Sequence, residues 1–72
     1  MWDIEQQAKR VEQVTCEVMF RATKSAIQLR NFPLNACDVQ CAFDSAVRIH
    51  SDIDATMESM IRENLALLGY TF

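Results

Sequence analysis

The sequence predicts an all-α protein, an antiparallel helical hairpin of two long amphipathic helices. Three observations carry this reading. Apolar residues recur every three or four positions along two long stretches. The single Pro33 and the single Gly69 stand where one reversal and one stop are required. No segment alternates with the period of two that marks a half-buried strand. The 72 residues form one helical domain, and half of them are apolar, so neither disorder nor low complexity is expected.

The first helix spans about residues 3–30, a stretch without Gly or Pro. At about 100° per residue, Ile4, Ala8, Val11, Val14, Val18, Met19, Ala22, Ala26 and Leu29 share one face, and Arg10, Glu17, Arg21, Lys24 and Gln28 lie opposite. Asp3 is placed to cap the helix, with Gln6 three residues on where a capping box wants it. Arg30 suits the negative end of the helix dipole. Residues 31–35, Asn-Phe-Pro-Leu-Asn, then make the reversal: proline lacks an amide donor and biases the preceding residue away from helix. Asn35, followed by Asp38, reads as the N-cap of the next helix.

The second helix is expected over about residues 36–68. Val39, Ala42, Ala46, Ile49, Ile53 and Met60 hold one face, and Phe43, Met57, Ile61, Leu65, Leu67 and Leu68 widen it. This unbroken register favours one continuous or gently kinked helix. The alternative is a break near His50, giving three helices, because Ser51 with Asp54 is a second capping-box-like pair. Gly69 ends the helix and leaves Tyr70-Thr71-Phe72 as a short apolar tail.

One hairpin does not hide all of this apolar surface. Trp2, Cys16, Phe20 and Ile27 form a second stripe on the first helix, roughly 100 to 160° around from the main one. The economical expectation is a homodimer in which two hairpins complete a four-helix bundle. The competing expectation is that the stripe docks a different protein. Either way the candidate partner or dimer interface is Trp2, Phe20 and Ile27 with the adjacent Arg21 and Lys24.

Charge narrows the partners. The net charge is -3, with five basic and four acidic residues before position 32 (+1) and two basic and six acidic residues after it (-4). Nucleic acid is not expected as a partner, because phosphate binding rests on basic side chains that displace counterions. A small DNA-binding regulator remains an alternative class. It requires a basic recognition helix, and the second half offers only Arg48 and Arg62. Asp44, Arg48 and Asp52, then Asp54, Glu58 and Arg62, read as ordinary surface charges spaced by one turn.

Three cysteines, Cys16, Cys37 and Cys41, are an odd set without the spacing of a secreted disulfide framework, and point to a reducing, cytoplasmic setting. The first seven residues lack the pattern of a signal peptide, and charges interrupt every apolar run, so no membrane span is expected. Cys37 and Cys41 lie one helical turn apart; with Cys16 and His50 they are the candidate metal ligands. No second paired-ligand motif accompanies them, so the expectation is no metal and no cofactor, with a cysteine-based metal-binding or redox-sensing bundle as the alternative. His50, the one histidine, falls within the apolar arc and is expected to be satisfied by a nearby carbonyl or by Asp54. No nucleophile and base spacing or glycine-rich loop is present, so no catalytic residues and no enzyme are expected. The functional expectation is a small non-enzymatic interaction module that inhibits or modulates another macromolecule. Its size and composition suit a phage- or mobile-element-encoded antirepressor or anti-defence inhibitor.

Overall fold

The computed structural model describes residues 3–29 and 33–72. They form three helices, α1 (Ile4–Leu29), α2 (Ala36–Ile49) and α3 (Ala55–Leu67), and no strand among the described residues. The expected roles of Trp2, Arg30, Asn31 and Phe32 fall outside the described residues.

α1 is the spine. Twenty-six residues at about 1.5 Å each make a rod of about 39 Å, close to the 42 Å long axis of the molecule. Its entry is capped as the sequence predicts: the Gln6 amide donates to Asp3 Oδ1 at 2.7 Å. α2 opens on a complete capping box, in which the Asp38 amide donates to Asn35 Oδ1 at 2.9 Å and the Asn35 amide donates to Asp38 Oδ2 at 3.4 Å. α2 runs antiparallel to α1. Asp38 and Cys41 near its start share a groove with Ser25 and Leu29, whereas His50 at its end reaches Arg10 and Glu17.

The continuous second helix over residues 36–68 does not form. α2 stops at Ile49, and residues 50–54 turn a corner before α3 begins. Ser51 lies within that turn; the cap is Asp54, whose Oδ1 accepts the Met57 amide at 2.9 Å. Length explains the break. An unbroken helix over 36–68 would run about 50 Å and overshoot its partner by a quarter of its length. The corner instead brings α3 back onto α1, and it happens to preserve the four-residue spacing from Ile49 through Ile53 to Met57, which is why the register alone concealed it.

The core is one cluster: Val11, Val14, Val18 and Ala22 from α1, Val39, Ala42, Phe43 and Ala46 from α2, Ile53 from the corner, and Met57, Ile61 and Leu65 from α3. α1 packs against both shorter helices, which approach each other mainly through side chains. The ends of the predicted stripe stay outside the core, because shorter helices cannot cover a longer one. Ile4 is 88% and Leu29 70% exposed, and Ile49, Leu67 and Leu68 are also exposed. Thr15, which no apolar pattern selects, is buried, with its hydroxyl donating to the Val11 carbonyl at 2.7 Å and accepting from Asn64 Nδ2 at 3.4 Å.

Gly69 ends α3 at φ 101°, a left-handed conformation that L side chains adopt at a cost. Its amide donates to the Ala66 carbonyl and that of Tyr70 to the Leu65 carbonyl, both at 3.0 Å, which closes a Schellman motif. The reversal returns the tail to the core. The Phe72 ring meets Phe43 at 5.5 Å with a 55° tilt, and the Arg62 guanidinium stands 5.0 Å from the Phe43 ring and 5.5 Å from the Phe72 ring. Arg62 is thus a cover for two aromatic rings and not an ordinary surface charge. The chain leaves 5046 Å² accessible, against about 4,600 Å² for a typical folded monomer of this mass.

Candidate functional site

Two features stand out on this scaffold: a polar cluster at the corner, and an uncovered face of α1.

The corner is organised around His50, the C-cap of α2. Its Nδ1 lies 3.0 Å from Arg10 Nη2 and its Nε2 lies 2.8 Å from Glu17 Oε2. A guanidinium only donates, so Nδ1 accepts from Arg10, and the ring proton is carried on Nε2 and donated to Glu17. Arg10 also grips Asp52 with both arms, Nε to Oδ2 at 2.7 Å and Nη2 to Oδ1 at 3.0 Å. Glu17 takes a further contact from Arg21 Nε at 3.3 Å. His50 is therefore satisfied from α1, and not by a carbonyl or by Asp54. With its lone pair held by Arg10, the ring has no free base nitrogen. The cluster fastens the corner to the spine.

Charge follows from these bonds. The hydrogen bond from His50 holds the Glu17 carboxyl below its ordinary value of 4.5, with burial opposing and the charge of Arg21 helping. The Arg10 hydrogen bond holds Asp52 below 3.8, and Asp52 raises Arg10 in return. Both carboxylates are depressed, so their contribution is fully present above their unfolded values and is lost as pH falls through the lowered ones. The expected result is that the melting temperature of the wild type drops faster below about pH 4.5 than that of the Glu17→Gln, Asp52→Asn double variant. Parallel curves in that range would remove the cluster from the acid response.

The uncovered face carries four of the five predicted interface residues. Phe20 is 68% and Ile27 58% exposed, and Thr23, Lys24 and Gln28 complete the apolar strip between them. An adjoining groove is lined by Glu17, Phe20, Arg21, Lys24 and Gln28. The fifth residue, Trp2, lies outside the described residues.

The candidate metal ligands are not gathered. All three cysteines are free and exposed. Cys16 borders a different surface, with Lys9, Glu12 and Gln13, and His50 is engaged by Arg10 and Glu17. No group of three His, Cys, Asp or Glu side chains able to hold a metal ion occurs among the described residues. The same residues contain no helix long and apolar enough to cross a membrane.

Sequence reasoning missed Arg10 and Glu17 as the partners of His50, and Asp52 as the partner of Arg10. They are separated by 33 to 42 positions in the paired bonds, so no local spacing signals them. The one available hint was a polar ring inside an apolar arc. The chain matches no protein-family model, no curated protein and no solved structure.

Proposed function

We propose that this protein is a helical protein-protein interaction module that docks through the outer face of α1 and thereby inhibits or modulates its partner. The observation that carries this reading is the strip from Phe20 to Ile27. Two large apolar side chains remain more than half exposed on the helix that otherwise anchors the core, flanked by Arg21 and Lys24. Apolar anchors beside cationic groups suit an amphipathic partner with acidic residues at its edge. An antirepressor or anti-defence inhibitor is the narrower form of this reading.

The second reading is self-association along the same strip, with two copies contributing to a shared helical bundle. The surface in excess of that typical for this mass favours it.

Replacing Phe20 by glutamate tests both. Phe20 is exposed, so folding should change by no more than about 0.5 kcal/mol. Association should weaken at least about tenfold, a cost of about 1.4 kcal/mol. The readouts are native mass at low micromolar concentration and recovery of bound protein on the immobilised full chain. Loss of a two-chain mass supports self-association, and loss of a captured partner supports docking. Unchanged mass and unchanged capture overturn both.

A further inference from the structure

We propose that Cys37 and Cys41 form a two-sulfur chelate for a soft, thiophilic, two-coordinate cation such as Cu(I). Both thiols are free, exposed and carried on α2 one turn apart, and this site differs from the four-ligand set, which the fold does not assemble.

Spacing discriminates between the uses of such a pair. Side chains four apart on a helix have Cβ atoms about 5–6 Å apart. A disulfide wants about 3.8 Å between Cβ atoms, so direct oxidation would distort the helix. Two metal-sulfur bonds of about 2.3 Å laid end to end span about 4.6 Å, which two thiols on neighbouring turns can bracket. Zinc is poorly served, because it takes four ligands and no third is at hand among the described residues. Thiolates select soft cations, and for a linear ion two are a full set.

The surroundings fit the charge change. Arg21 lines the same groove as Cys41 and Asp38, placing a positive group beside the complex. The exchange balances as two thiols plus one monovalent cation giving one bis-thiolate complex of charge minus one and two released protons. No electron is transferred. The bound ion cross-links successive turns of α2.

The test is titration of the reduced, metal-free full chain with Cu(I), anaerobically and against millimolar glutathione, with native mass and melting temperature as readouts. Wild type and Cys16→Ser should each hold one ion per chain and melt higher when loaded. Cys37→Ser and Cys41→Ser should lose at least about tenfold in retention, because a paired site outcompetes separate thiols by effective concentration, and should show no thermal shift. Equal retention in the single variants, dependence on Cys16, an ion shared between two chains, or uptake only without glutathione would each overturn the chelate. Unlike the Phe20 experiment, none of these readouts depends on a protein partner.

Discussion

Phe43→Ala should cost about 3–5 kcal/mol, the range for removing a large buried aromatic side chain. The ring is 1% exposed, and it contacts three parts of the chain at once: the core, the Phe72 ring and the Arg62 guanidinium. Truncation removes its own burial and leaves the other two groups without a platform. A domain has about 5–15 kcal/mol of stability in total, and 72 residues place this chain toward the low end. The variant should therefore be largely unfolded at ambient temperature in mild urea. Phe72→Ala, which spares the core but removes the ring pair, should cost about 1–2 kcal/mol. Urea unfolding followed by circular dichroism measures both, and a Phe43→Ala cost under about 1 kcal/mol would contradict this packing.

Ile61→Ala should cost about 2–5 kcal/mol, and it tests the course of the chain. Ile61 is fully buried because the corner after Ile49 returns α3 to α1. Were α2 and α3 one straight helix, Ile61 would stand about 38 Å along it, level with the exposed first turn of α1, and its truncation would cost little more than an exposed substitution, about 0.5 kcal/mol. The same denaturation experiment separates these outcomes, with Leu67→Ala as the exposed control.

Helix type, the Asn35 box, the Asp3 cap and the Gly69 stop are local chemistry, written within three or four residues, and all were legible in the sequence. Most of the core was legible too, because a 3.6-residue period marks the buried face wherever a neighbour exists. Where the neighbour ends was not. Ile4 and Leu29 carry the right phase but project past α2 and α3, and periodicity contains no information about the length of a partner. The break at His50 is hidden in the sequence for a related reason. A corner that keeps the register is invisible to a register argument, and the bonds that hold it join Arg10 and Glu17 to residues far along the chain. The exposed strip was legible as surplus, since Phe20 and Ile27 fit no single antiparallel neighbour. The strip does not distinguish a second copy from a different protein, because apolar residues serve self-association and docking alike.

Because α2 and α3 rest on a common support more than on each other, their fates are joined through α1. Hydrogen exchange in such a molecule should divide into two tiers. Amides of α3 open first, once its tail lets go of Phe43, while the α1–α2 pair, joined by a short connection, stays protected. The order of opening runs opposite to the order of assembly that short-range contacts favour, with the hairpin first and α3 closing over it. A ligand that clamps α1 would then slow exchange in both shorter helices together, and one that clamps α2 would quiet only its own tier.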